Sequence, residues 1–148
     1  MTASLAIDTD VLAIAYLFKR DKRYDITLDF LRKSKKQRRM ITLYNLLELY
    51  GLLVIGANVQ VAQRIYKQLL SIDNLMVITH NLPISWGEFT ENIMSVINRK
   101  IHFSDALIIY TLESNGVDVF VTWNKRHFEN KIDCEVLTPE EWLNKYSK

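Results

Sequence analysis

Short apolar runs, each followed within a few residues by a helical repeat, constrain this chain more than any other feature of its sequence. Leu5-Ala6-Ile7 stops at Asp8, and Thr9-Asp10 then lead into VLAIAYLF, the pattern of a strand, a tight turn and a capped helix. Residues 24–33 form a second helical repeat with Ile26, Phe30 and Leu31 or Leu28 on its buried side. Residues 39–41 read as strand two, after which Thr42 caps a helix through LYNLLELYGLL. Gly56 and Asn58 break the pattern before a helix at 59–70. Residues 74–78 give strand three, and THNLP (79–83) a loop before a helix at 84–97. Ser104 is placed to cap DALIIYTLES, which Asn115-Gly116 ends. Strand four follows at 117–121 and an edge strand at 134–137. Thr138-Pro139-Glu140-Glu141 then opens a last helix with a cap, a proline and two acids.

Strands that alternate with helices are joined by crossovers, so the expected fold is α/β: one domain over 1–148, with a central parallel sheet of four to five strands and helices on both faces. No repeat or linker divides it. At 148 residues and 49% hydrophobic content the chain is long enough for one packed core. The longest apolar stretch, 46–55, is interrupted by Glu48 and is far shorter than the roughly 20 residues a bilayer span needs. The N-terminus lacks the basic and apolar regions of a signal peptide, and the lone Cys134 has no internal partner for a disulfide. Both features point to the cytoplasm, with no membrane association.

In a parallel sheet, ligands gather beyond the carboxyl ends of the strands, where Asp8 and Asn124 both fall. Asp8 ends the first strand, a position that also suits a turn or cap. Glu48 lies in LLEL, inside an apolar helix, with no cation three or four residues away; a buried carboxylate there needs a polar pocket or a distant lysine or arginine. Asp105 opens an apolar helix, where the helix dipole alone would favour it. If the fold brings these three together, their repulsion calls for a cation, and oxygen ligands suit Mg²⁺ or Mn²⁺.

At this point the sequence resembles the PIN-domain nucleases and their VapC-like toxin members. The resemblance rests on AIDTDVL (Asp8), LLEL (Glu48), FSDALI (Asp105) and VTWNKRHF (Thr122, Asn124), in that order and over nearly the whole chain. It implies a metal-dependent endoribonuclease that leaves a 5′-phosphate and a 3′-hydroxyl. It also implies catalytic and metal-binding roles for Asp8, Glu48, Asp105 and Asn124, a homodimer, and a small antitoxin partner. The chemistry agrees: an ion held by acids lowers the pKa of a water and offsets charge on a leaving oxygen.

Two positions depart from the family pattern. Asn124 stands where many members carry aspartate; it keeps an oxygen ligand but brings no charge. Asp10 stands where Asn or Ser is common, so it is either a helix cap or a further metal ligand that restores the missing charge. Thr122 is expected to orient Asn124 or a metal-bound water through its hydroxyl, with strand-end packing as the competing role.

The net charge of +2 hides an asymmetry: with four acids facing one pocket, the rest of the surface carries about +6, which suits RNA. RKSKKQRR (residues 32–39) concentrates six cations, either as a solvated helix end or as a phosphate contact. His80, His102 and His127 lack zinc spacing, and Trp86, Trp123 and Trp142 read as packing residues. Lys125, Arg126 and Lys131 either contact phosphates beside the pocket or simply belong to an exposed turn. A PIN-fold RNA-binding module with a weakened site is the alternative function. A phosphate-receiving signalling domain needs an acceptor aspartate after strand three, where this chain has Thr79, His80 and Asn81.

Overall fold

The structure, a computed structural model, describes residues 3–82 and 85–148. Five parallel strands, β1 (Leu5–Ile7), β2 (Arg39–Thr42), β3 (Leu75–Ile78), β4 (Val119–Val121) and β5 (Glu135–Leu137), form one sheet in the order β3-β2-β1-β4-β5. The expected α/β architecture is therefore present, with β1 at its centre. Strands three to five are shorter than their sequence patterns. Asn74 turns away with φ 61°, for example, so β3 begins only at Leu75.

Alternating side chains divide the core into two layers, as the twofold period of a strand dictates. Leu5, Ile7, Ile41, Val119 and Val121 face one side. There they pack with Val11 and Leu12 of α1 (Thr9–Leu17), Phe30 of α2 (Tyr24–Lys33), Leu49 and Leu53 of α3 (Leu43–Gly56), Ile65 of α4 (Val59–Ser71) and Trp142 of α8 (Pro139–Tyr146). Ala6, Met40, Ile78 and Phe120 face the other side. They meet Ile93 and Val96 of α5 (Trp86–Ile97), Ile108, Ile109 and Leu112 of α6 (Phe103–Ser114) and Phe128 of the one-turn α7 (Lys125–Phe128). Phe30 and Trp142 meet edge to face at 5.1 Å, which locks α2 to α8.

Several local expectations need correction. Ser104 does not cap α6: the helix starts at Phe103 behind His102, which offers no side-chain cap bond, so Ser104 lies inside the first turn. On α2, Leu28 is exposed, and Thr27 and Phe30 fill the inner side. Pro83 and Ile84, part of the expected loop and helix start, lie outside the described residues; α5 is capped by Ser85. Trp86 is 83% exposed, whereas Trp142 is buried and Trp123 half-buried, donating from its indole nitrogen to Thr27 Oγ1 at 3.0 Å. The capping box at Thr138 and Glu141 is present as expected. Among the described residues, no helix is long and apolar enough to cross a membrane.

Candidate active site

β1 is flanked by β2 on one side and β4 on the other, so the chain reverses its direction of sheet building at β1. The carboxyl ends of β1 and β4 at that switch point leave a crevice between diverging loops. Asp8 follows β1 and Thr122 follows β4, and the two strands pair in register Ile7 to Val121. Register alone therefore brings Thr122 to Asp8, and its hydroxyl donates to Asp8 Oδ2 at 2.7 Å.

Asp8 is 6% exposed and is the N-cap of α1. Its Oδ1 accepts from the Thr9 amide at 2.8 Å and from Asn45 Nδ2 at 2.9 Å. Asp10 is not the cap. Its Oδ2 accepts the Trp123 and Asn124 amides, each at 3.0 Å, and lies 3.3 Å from the Thr122 hydroxyl, which ties the start of α1 to the loop after β4. Its Oδ1 is buried without a hydrogen-bond partner of good geometry, the Val11 amide lying close by.

Glu48 contradicts the reasoning that drew attention to it. The helix is not buried all round: Leu47 is 58% exposed and Glu48 is itself on the exposed side. Its carboxylate nevertheless turns towards the crevice, where Glu48 Oε1 accepts the Thr9 hydroxyl at 3.1 Å. Asp105 is half-buried in the first turn of α6, near enough to Glu48 for each charge to act on the other. His127 and His102 both lie close enough to favour its ionised form, an influence that their sequence spacing did not reveal.

Asn124 is exposed, and among the described residues its side chain makes no hydrogen bond. Its backbone amide is held by Asp10 and, at 3.0 Å, by the Thr122 hydroxyl oxygen. Thr122 thus positions the Asn124 backbone and the Asp8 carboxylate, and is fully buried while doing so.

Asn45 and Thr9 are the residues that sequence reasoning missed. Asn45 is fully buried and accepts the Thr42 hydroxyl at 2.7 Å. Its amide nitrogen donates to both Asp8 Oδ1 and Thr9 Oγ1, at 2.9 Å each. A continuous relay therefore runs from Thr42 through Asn45 to Asp8 and Thr9, and on to Glu48. The available signal was an amide three residues after the Thr42 cap in an otherwise apolar helix. Asn45→Ala removes one buried hydrogen-bond partner each from Asp8 Oδ1 and from the Thr42 and Thr9 hydroxyls. It is expected to lower unfolding stability by about 2–4 kcal/mol, read from the urea midpoint at unchanged slope.

The electrostatics follow from crowding acids into low dielectric. Burial first, then the Asp10 charge, push the Asp8 carboxyl up to about 8 against the pull of the Thr122 and Thr9 hydrogen bonds; Glu48 adds to the rise. Burial raises Asp10 too, opposed by its bonds from Trp123, Thr122 and Asn124. Glu48 is raised by loss of hydration and by Asp105 and Asp10, with Thr9 opposing. Asp105 is raised by burial. Among the described residues, none of the four carboxylates has a lysine or arginine within ion-pair distance.

Among the described residues, no three His, Cys, Asp or Glu side chains stand at the spacing of a closed metal site. The donor set still fits a hard divalent ion: all its atoms are oxygens, the charge is uncompensated, and Asp10 Oδ1 is an orphaned buried acceptor. Closing such a site needs side-chain movement by the half-exposed Glu48 and Asp105, while Asp8 and Asp10 are already fixed by their hydrogen bonds.

The basic block lies elsewhere. Arg39 opens β2 at the amino end of the sheet, opposite the carboxylates, and Arg32 and Lys33 both pair with Asp29. Lys125 is bound to Glu141, its Nζ 3.0 Å from both carboxylate oxygens. Exposed Arg126 and the part-exposed Arg23, whose guanidinium lies 5.6 Å from the Trp123 ring centroid, are the cations nearer the crevice.

Solved VapC- and Fit-type structures share this fold at low sequence identity. The same fold occurs in FitAcB from Neisseria gonorrhoeae, at a TM-score of 0.62 and 16% identity over 92% of this chain and 98% of that one. It also occurs in VapC20 of Mycobacterium tuberculosis, described as a sarcin-ricin loop cleaving toxin (TM-score 0.58, 17% identity, 78% of this chain and 86% of that one). VapBC-1 from nontypeable Haemophilus influenzae shares it at TM-score 0.61 and 18% identity, over 93% of this chain and 98% of that one. No family model and no curated protein matches the sequence.

Proposed function

We propose that this chain is an endoribonuclease that uses Mg²⁺ or Mn²⁺, and that it acts in the cytoplasm as the toxin of a toxin–antitoxin pair. The observation that carries the reading is the convergence of Asp8, Asp10, Glu48 and Asp105 at the switch point of the sheet, without a paired cation. Asp8, Glu48 and Asp105 would hold the ion, with Asp10 beside them and Asn124 as a neutral oxygen donor at the rim. Such an ion, when bound, supplies Lewis acidity towards a phosphoryl oxygen and activates water.

The chain's own residues set the geometry. Asn45 and Thr122 aim the two Asp8 oxygens, the Thr9 hydroxyl turns Glu48 inward, and Asp10 fastens the loop carrying Asn124 to α1. Arg126 is available to phosphates outside the crevice, whereas the Arg23 guanidinium is already paired with Asp21. Asp10 also supplies the negative charge that Asn124 lacks. Asp10→Asn is therefore expected to weaken Mn²⁺ binding in calorimetry about tenfold or more, beyond any loss of stability; an unchanged affinity would disprove the compensation.

For the partner, the support is twofold. Structures that share this fold include VapBC-1 and a toxin–antitoxin complex from Klebsiella pneumoniae, the latter at TM-score 0.61 and 16% identity. Leu47, Leu52 and Ile55 of α3 are exposed beside Glu48, an apolar surface suited to a helix of a small antitoxin. A homodimer is part of the same proposal.

The test is incubation of labelled RNA with the purified chain, with and without Mn²⁺, alongside Glu48→Gln and Asp105→Asn. Metal-dependent cleavage lost in both variants supports the enzyme. The second reading, an RNA-binding module with a weak site, is favoured by the exposed Asn124 and by the absence of a closed ligand set among the described residues. RNA retention without cleavage at any Mn²⁺ concentration would establish it in place of the enzyme.

A further inference from the structure

Arg39 is the one cation of RKSKKQRR that the fold takes inside; it is 6% exposed, while the other five are at the surface. Its guanidinium donates to two carbonyls, Leu31 O at 3.2 Å and Asp73 O at 3.4 Å, and its buried Nε has no hydrogen-bond partner. Among the described residues, no carboxylate lies within ion-pair distance of it; Asp73 is adjacent but contributes its carbonyl. A guanidinium withdrawn from water without a counter-charge is unfavourable, and an anion that met it would relieve that cost.

A cavity of about 610 Å³ opens beside this side chain. Leucines and Ile72 supply most of its walls, the surface cations Arg32 and Lys35 stand at its rim, and Asp73 is the one acid that lines it. Tyr16 also lines it, with its phenol close enough to Arg39 to interact with the charge. Apolar walls around one buried charged donor are the composition of a small-molecule pocket, and the volume lies in the range of such pockets. The cavity is formed by α1, α2, α4 and the amino end of β2, away from the acids at the carboxyl ends, so it is independent of the nuclease reading.

We propose that this cavity binds a small amphipathic carboxylate, its anionic head on the Arg39 guanidinium and its apolar body against the leucines. A planar carboxylate matches the guanidinium fork. The apolar walls disfavour a nucleotide or a free inorganic anion, since neither offers a body to bury.

Calorimetric titration of the full chain with octanoate, octanol and inorganic phosphate tests this. Octanoate is expected to bind and to raise the thermal midpoint. Octanol should bind about tenfold more weakly or worse, and phosphate should not saturate. Arg39→Met should erase the preference for octanoate over octanol. Leu28→Trp, which fills the mouth of the cavity and leaves the charge in place, should weaken both ligands. The proposal is overturned if octanoate fails to bind, if octanol matches it, or if either variant binds octanoate as tightly as the natural chain.

Discussion

Asp8→Asn is expected to abolish RNA cleavage while making the metal-free protein more stable. A metal ligand contributes several kcal/mol of transition-state stabilisation, and each 1.4 kcal/mol is tenfold in rate, so cleavage should fall by about a thousandfold. The fold should tolerate the change well. Asp8 Oδ1 keeps its bonds from Thr9 and Asn45 if the new carbonyl takes that place. The new amide would then donate to the Thr122 oxygen, whose proton turns to Asp10 Oδ2, 3.3 Å away. The cost of holding a crowded carboxyl beside Asp10 is removed at the same time. A gain of about 1–2 kcal/mol in unfolding free energy without metal is the expected direction and size. A variant that is both inactive and less stable would show that Asp8 is held for packing rather than for chemistry.

The second large effect is a pH dependence that a divalent ion should erase. Burial and the Asp10 charge push the Asp8 carboxyl of the folded, metal-free chain up to about 8, far above the ordinary carboxylate range near 4. Between those values the folded state holds a proton that the unfolded chain has released. Stability is therefore full below the unfolded value and is lost as pH rises through the window towards the folded one. Because Asp8 and Asp10 interact, the loss belongs to the pair and amounts to several kcal/mol between about pH 4 and pH 8. Mn²⁺ binds the ionised form and releases those protons, so its stabilisation should be largest near pH 8 and small near pH 5. Thermal melts at the two pH values, with and without Mn²⁺, measure this directly. A flat profile without metal, or equal stabilisation at both pH values, would mean that the acids are not crowded as described.

The elements were legible because their periods are unambiguous: Leu5-Ala6-Ile7 and Val119-Phe120-Val121 alternate between two core layers, and the caps at Thr42, Asn58 and Thr138 announce their helices. The strand order was not legible. Nothing local in the sequence reveals that β1 lies between β2 and β4, since that arrangement is set by crossovers and packing. Of the site, Asp8 and Thr122 could be read from their places after strands. Glu48 was found for a reason that fails, because α3 leaves Leu47 and Glu48 outside instead of burying them. Asn45 escaped notice because a buried amide acquires its meaning only when two distant segments close around it. The basic block reads as one surface feature in sequence, yet its last residue is an interior side chain, a distinction that depends on where β2 begins.

The central position of β1 bears on how the protein is made. Its partner β4 lies far along the chain, and the Thr122 hydroxyl reaches Asp8 across 114 residues. While the ribosome is still adding the middle helices, β1 has only β2 beside it, and the half-sheet exposes an unpaired edge. The acidic crevice therefore forms only after β4 has been made, and a nascent chain stalled ahead of β4 emerges without it.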